Sequence, residues 1–389
     1  MAMELTNGLD FLNGHKKLGI LGAGQLGKMT AIAAANWQLP LWALDKQADY
    51  PAAPYIHRLV CGNFNDEKDV LAFGKEVDLL TIEIEHVNTA ALHQLQAEGL
   101  RIHPAPQILD TIKDKGLQKL FYQQHQLPTA AFSLFDNVER LREALAAGRL
   151  AFPFVQKSRT DGYDGRGVAV IKDASALHKL LPGPCVVEEL VDIYKEVAVI
   201  VARNESGEIK AFPVVEMYFH PEANLVDRLL APARISEQEA QAATALAIRT
   251  AAAFDVCGLL AVEMFIDQQG QILVNEVAPR SHNSGHHTIE SCAVSQFEQH
   301  LRAVLNLPLG DTRLLRPAVM LNLLGDDGFS GPARYRGIEE ALALPGVSVH
   351  LYGKTHTQPF RKMGHITVTA DTLEEAMRIA DSIEVGVYA

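Results

Sequence analysis

The sequence predicts an α/β protein of two or three domains that closes with a smaller β-rich unit, and three observations carry that prediction. Near the start, an apolar strand runs directly into a glycine turn and an alanine-rich helix. Strand and helix patterns then alternate through most of the chain. Beyond Arg316-Pro317 the pattern changes to short apolar strands separated by glycine and proline turns. At 389 residues there is enough chain for each unit to have its own core. The boundaries suggested by this patterning are 1–112, 113–315 and 316–389.

The first strand is Lys17-Leu18-Gly19-Ile20-Leu21, and the turn after it is Gly22-Ala23-Gly24-Gln25-Leu26-Gly27. A helix and a second strand over 39–44 follow, ending at Asp45. Strand, glycine turn, helix, strand and acid is the dinucleotide-binding fingerprint. Many open α/β sheets use the same glycines only for a tight strand-to-helix turn, so both readings stand at this point. A buried strand over 77–84 and a helix over 89–98 continue the alternation, and Pro104-Ala105-Pro106 closes the first unit. A helix over 113–126 leads past Pro128 into strands, a glycine-rich loop and an apolar strand over 185–190. Ser236 with Glu239 forms a capping box. After it, Ala243, Leu246, Ala247, Thr250, Ala251 and Phe254 recur at helical spacing and mark a buried face. That helix delivers the chain to a β-hairpin.

Composition bounds the function. Hydrophobic residues make up 48% and charged residues 21%, the balance of an ordinary soluble globular protein. A formal net charge of −12 argues against a broad phosphate-backbone-binding surface, so nucleic acid is not an expected partner and any anion site must be a local pocket. Cys61, Cys185, Cys257 and Cys292 are far apart, which indicates neither a zinc site nor a disulfide framework and fits a reducing compartment. Residues 1–17 hold no apolar stretch like a signal-peptide core, and no run of about 18 apolar residues would span a bilayer. A cytoplasmic protein with no membrane partner is expected.

The most informative stretch is the hairpin, from Leu259-Leu260-Ala261-Val262-Glu263 to Ile272-Leu273-Val274-Asn275-Glu276. A turn centred on Gln268-Gln269 sets Phe265 against Ile272, Glu263 against Val274 and Ala261 against Glu276. Glu263 and Glu276 then share one sheet face as diagonal neighbours, roughly 7–8 Å apart at the backbone. Two like charges on apolar strands repel unless a cation lies between them. Carboxylates that leave room for water and phosphate suit Mg²⁺ carrying a nucleotide; the alternative is that one Glu lies on a solvated edge.

Four further segments carry chemistry. Lys157 ends an apolar strand, and Asp161-Gly162-Tyr163-Asp164-Gly165-Arg166-Gly167 follows at once. Its amides can approach phosphates, with Lys157 as a point charge and Arg166 as a fork donor; a surface hairpin with a solvated lysine is the bland reading. Glu188, Glu189, Leu190 and Val191 could lend backbone groups to an adenine and Glu196 could accept from ribose hydroxyls, although by itself this is simply a strand. Asn275-Glu276-Val277-Ala278-Pro279-Arg280-Ser281-His282-Asn283-Ser284-Gly285-His286-His287 packs a cation, imidazoles and small polar groups next to a candidate metal carboxylate. Tyr352-Gly353-Lys354 and Phe360-Arg361-Lys362-Met363-Gly364-His365 set three cations around a hairpin, either a phosphate clamp or a solvated basic face.

In this order, these segments resemble the ATP-grasp superfamily, and within it the 5-(carboxyamino)imidazole ribonucleotide synthases of purine biosynthesis. The resemblance covers nearly the whole chain and is most specific at Asn275-Glu276 with Ala278-Pro279-Arg280 and His282 to His286, and at Arg361-Lys362-Met363-Gly364-His365. It implies an ATP-grasp fold with an N-terminal Rossmann-like pre-ATP-grasp domain, a two-lobed ATP-grasp domain and a small β-rich C-terminal domain, as a homodimer. It also implies an ATP-dependent carbon-nitrogen ligase that carboxylates the exocyclic amine of 5-aminoimidazole ribonucleotide with bicarbonate, through carboxyphosphate.

Carried over by motif, Lys115, Lys157, Tyr163, Asp164, Gly165, Arg166, Gly167, Glu188, Glu189, Leu190, Val191, Glu196, His220, Asn275 and Glu276 would hold ATP. Glu263 and Glu276 would hold Mg²⁺. Arg280, His282, Lys157 and Arg166 would serve the chemistry, and Tyr163, Glu83 or Glu85, Lys354, Arg361 and Lys362 would meet the ribonucleotide. Lys115 stands where the family usually has arginine, Gln358 replaces an arginine of the C-terminal clamp, and the stretch 216–225 is one residue longer. Asn275 points away from Glu276 in a regular strand, so its role requires a bulge or a backbone contact. The alternatives are another ATP-grasp ligase, such as a formate-dependent glycinamide ribonucleotide transformylase, and a dinucleotide-dependent oxidoreductase resting on 22–27 and Asp45.

Overall fold

The structure is a computed structural model, and it describes residues 5–160, 167–219 and 225–389. Five parallel strands form the first sheet in the order Arg58–Cys61, Leu41–Asp45, Leu18–Leu21, Leu79–Ile82, Arg101–His103. Leu18–Leu21 and Leu79–Ile82 are buried along their whole length, as strands covered on both faces must be. The strand order reverses direction between these two, so the crevice at their carboxyl ends is where such a sheet can bind a ligand. The turn Gly22 to Gly24 and the residues Glu83 and Glu85 emerge at that place.

A four-stranded antiparallel sheet follows, in the order Phe132–Phe135, Cys185–Glu189, Phe154–Ser158, Val168–Ile171. Leu190 and Val191 lie in the crossing from this sheet to Ile193–Arg203, the long strand of a nine-stranded antiparallel sheet. Ile193–Arg203 pairs with Gly258–Asp267, which pairs with Ile272–Ala278. Helix Glu237–Phe254 covers one face of these strands, and the six residues read as its inner face are all buried. The capping box of Ser236 and Glu239 is formed.

The C-terminal segment is rich in strands, and three of them extend the nine-stranded sheet. Ala318–Leu324 pairs with Val226–Ala231 on one side and Lys362–Thr369 on the other, and Val347–Leu351 forms the far edge. Helix Leu373–Asp381 packs its apolar side over them. Among the described residues, no helix is long and apolar enough to cross a membrane.

The hairpin register differs from the one read from sequence, by two single-residue offsets. Gly270, at φ +78°, belongs to the loop, and Asp267 Oδ1 accepts the amides of Gln269 and Gln271 at 2.9 and 2.8 Å. The loop is therefore three residues long, 268–270, and Ile266 faces Ile272. Continued regularly, that register would set Glu276 opposite Val262, on the face away from Glu263. A bulge at Asn275 shifts the pairing once more, so that Glu263 lies directly opposite Glu276 instead of diagonal to it.

Candidate active site

The two carboxylates end the hairpin's shared face, and Glu196 lies on the same face of the neighbouring strand, because Glu263 pairs with Ala198 and Phe265 with Glu196. Lys115, the first residue of helix Lys115–Gln124, donates from Nζ to Glu276 Oε2 at 2.5 Å. Lys115's positive charge holds the Glu276 carboxyl well below the ordinary range. Burial, then the negative charges of Glu276 and Glu196, push Glu263 the other way. His282 Nε2 stands 3.4 Å from Glu263 Oε1. Nδ1 accepts the Ser284 amide at 3.3 Å, which leaves Nε2 to carry the proton that faces Glu263.

Lys157 meets this pair from the four-stranded sheet. Its Nζ donates to Asn275 Oδ1 at 2.8 Å and to Glu188 Oε2 at 3.1 Å. The bulge thus turns both Asn275 and Glu276 toward lysines, which a regular strand could not do. Glu188 is buried and also pairs with Lys119 at 3.2 Å. Burial alone would raise the Glu188 pKa, and the charges of Lys157 and Lys119 overcome it, so it stays ionised. Lys119 loses more to burial than it gains from a shared carboxylate and falls to about 8. Burial raises Glu196 to about 7, and the Lys157 charge opposes it only in part.

A cleft of about 450 Å³ opens beside Glu276 and Lys115. Glu83 and Glu85 from the first sheet, Arg280, His282 and His286 from the segment after the hairpin, and Lys362 and Tyr352 from the C-terminal strands line it. Arg280 Nε pairs with Glu85 Oε1 at 2.9 Å. Glu83 turns into the glycine turn, where it accepts the Gly24 amide at 2.6 Å and the Gly27 amide. Burial raises its pKa to about 7 against those two donors. A Cβ on Gly22, Gly24 or Gly27 would crowd this side chain off the two amides, and Gly22 at φ +104° favours glycine in its own right. Asp45 accepts the Ala23 and Lys46 amides at 2.8 and 2.7 Å. The helix N-terminus and the acid of the dinucleotide fingerprint are therefore both engaged within the chain, and the oxidoreductase reading fails on that ground.

Three family models match the chain end to end: a ribonucleotide synthetase preATP-grasp domain over 15–113, an ATP-grasp domain over 120–297, and a phosphoribosylaminoimidazole carboxylase C-terminal domain over 318–379. N5-carboxyaminoimidazole ribonucleotide synthase of Bacillus subtilis is 36% identical over 355 residues, with 90% of each chain covered. The chain belongs to that synthase family. The crystal structure of the synthetase from Thermotoga maritima matches with TM-score 0.88 at 42% identity, over 96% of this chain and 99% of that one. The synthase of Aspergillus clavatus, solved with ADP and 5-aminoimidazole ribonucleotide, matches with TM-score 0.86 at 35% identity, over 95% and 97%. The chain spans 64 to 69% of the length of phosphoribosylaminoimidazole carboxylases from yeasts and a plant. Its ATP-grasp domain makes it an ATP-dependent ligase of mixed α/β fold.

Seen against this family, most of the expected residues converge. Lys115, Lys157, Glu188, Glu196, Glu263, Asn275 and Glu276 form one charged cluster, with Glu83, Glu85, Arg280, His282 and Lys362 on or next to the adjoining cleft. Glu189 ends its strand beside Leu190 and Val191, and Gly167 accepts the Ser158 amide where the partner strand begins. Lys354 Nζ donates to the Lys362 carbonyl at 2.7 Å and so supports the segment carrying Lys362, while Arg361 Nη1 donates to the His356 carbonyl at 2.8 Å. Tyr163, Asp164, Gly165, Arg166 and His220 lie outside the described residues. Sequence reading missed Lys119, although Lys115 and Lys119 four apart on a helix share a face. It also missed Gln296, which carries no motif.

Proposed function

We propose that this chain catalyses the ATP- and bicarbonate-dependent carboxylation of 5-aminoimidazole ribonucleotide, with the Glu263–Glu276 pair as its Mg²⁺ site. The observation that carries the reading is the direct opposition of those carboxylates, between lysines on one side and the Arg280 and His282 cleft on the other. The donor set fits the metal. Two opposed carboxylates share one lysine, Glu263 is driven toward protonation, and among the described residues no third carboxylate, imidazole or thiolate completes a protein-only cage. Mg²⁺ prefers that arrangement, since it keeps water and phosphate ligands. Bound there, it would neutralise charge on the phosphoryl group in transfer.

The protein's own groups supply the rest. Bicarbonate is a poor electrophile, and taking the γ-phosphoryl of ATP converts it to carboxyphosphate with release of ADP. Lys157, held by Asn275 and Glu188, and Lys115 place fixed positive charge beside the phosphates. Arg280, oriented by Glu85, and His282, oriented by Ser284, hold the carbon to be transferred beside the exocyclic amine. Attack of the amine forms the carbon-nitrogen bond, with loss of phosphate and one proton. Lys362 stands at the C-terminal side of the cleft as the cation for the ribonucleotide phosphate, with Lys354 and Arg361 behind it. We assign the units 1–112, 113–315 and 316–389, a homodimer and a cytoplasmic setting on the same footing; the four cysteines are all free, as a reducing compartment allows.

The test is ADP release with 5-aminoimidazole ribonucleotide plus bicarbonate, against glycinamide ribonucleotide plus formate and against each component omitted. Release that needs the first pair supports the reading, and release with the second pair alone overturns it.

A further inference from the structure

Gln296 opens the helix Gln296–Val304, is fully buried, and has both ends of its amide engaged. Its Oε1 accepts the His282 backbone amide at 2.9 Å, which fixes the orientation of the group. The Nε2 nitrogen then donates to the His282 carbonyl at 2.8 Å and faces His286 Nδ1 at 3.0 Å. An amide nitrogen only donates, so His286 Nδ1 accepts and the ring proton lies on Nε2. His286 lines the cleft at 2% exposure, and among the described residues no group accepts from that Nε2. The ring is backed by an imidazole stack: His365 at 4.9 Å, then His350 at 4.4 Å from His365. Burial, reinforced by neighbouring positive charge such as that of Lys362, holds His286 far below the ordinary imidazole range, so it stays neutral. A ligand that enters the cleft and shuts water away from this N–H must supply its acceptor, because a buried N–H left unpaired is costly.

We propose that His286 is a substrate-contacting residue whose Nε2–H donates to the ring nitrogen of the aminoimidazole base, and that Gln296 is the positioning residue that fixes this tautomer while holding His282. The proposal rests on the functional reading above. A charged imidazolium would tend to protonate the base and drain the amine that must attack carbon, whereas a neutral ring donates a hydrogen bond and leaves the amine nucleophilic. The same donor discriminates among ribonucleotides. A substrate without a ring acceptor leaves the N–H buried and unpaired.

The experiment has two arms on the full chain. Calorimetric titration with 5-aminoimidazole ribonucleotide, in the presence of ADP and Mg²⁺, should show about tenfold weaker binding for His286→Phe, the loss of one hydrogen bond. His286→Gln, whose amide N–H reaches the Nε2 position, should recover most of it, and His286→Asn, which reaches only the Nδ1 position, should not. Nitrogen-15 spectra should show the Nε2–H tautomer of His286 in the unmodified protein and its loss in Gln296→Glu, where an acceptor replaces the donor. Parent-like binding by His286→Phe, or equal binding by the Gln and Asn variants, overturns the substrate contact. An Nδ1–H signature in the unmodified protein overturns the role of Gln296. Failure of the unmodified protein to bind the ribonucleotide would defeat the functional reading instead, and the spectra would still decide the tautomer.

Discussion

Glu83 and the Glu263–Glu276 pair present one electrostatic problem in two regions of the molecule, and the chain's backbone donors meet only the first. Glu83 sits among backbone donors at a helix N-terminus, where Gly24 and Gly27 satisfy it and the helix dipole favours it. In the hairpin pair, Lys115 sits against Glu276 and favours it, and Glu263 is left raised. A motif that looks like a ligand site is thus filled from within, while an ordinary-looking hairpin keeps a charge deficit that a metal-bound nucleotide can fill. Motif identity told less than the question of how each carboxylate is held.

The largest way to break this contrast is Glu276→Ala, which should lower turnover by about a hundredfold or more, since metal stabilisation is worth several kcal/mol. Near-normal steady-state activity would remove the metal assignment. Lys354→Ala withdraws the support of the Lys362 segment and should raise the Michaelis constant for the ribonucleotide by about tenfold, with turnover less affected; an unchanged constant would remove the C-terminal clamp. Asn275→Ala deletes one of the acceptors holding Lys157 and should raise the Michaelis constant for ATP by about fivefold, one hydrogen bond's worth. Equal kinetics would show that the bulge serves the register alone.

The smallest effect concerns Glu83 and stability. Its pKa is raised from 4.5 to about 7 in the fold, so the folded chain binds more protons than the unfolded one between those values. Its contribution is present below about 4.5 and is lost as pH rises through about 7. Denaturant midpoints measured across that window should fall less steeply with pH in Glu83→Gln than in the parent. An identical slope would mean that the carboxyl has the same pKa in the folded and unfolded chain.

How far these features were legible depends on the distance over which each is determined. The helix Glu237–Phe254 was read down to its six buried residues, because capping and periodicity are local. The pairing of Glu263 with Glu276 was legible as a shared face but not as a register. The loop length and the bulge each shift it by one residue, and two shifts restore the face while changing the partner. Glu83 and Gly24 meet only because parallel strands Leu18–Leu21 and Leu79–Ile82 are neighbours, a fact of sheet order. Lys119 and Gln296 act through residues distant in sequence, Glu188 and His282 among them, so no short motif contains them.

The central claim is that the opposed carboxylates hold the metal of a nucleotide complex. Its most direct test is the affinity for ADP with and without Mg²⁺, measured by calorimetry for the parent and for Glu276→Gln. The account predicts that Mg²⁺ tightens binding in the parent and that most of this gain disappears in the variant. An equal gain in both proteins would contradict it.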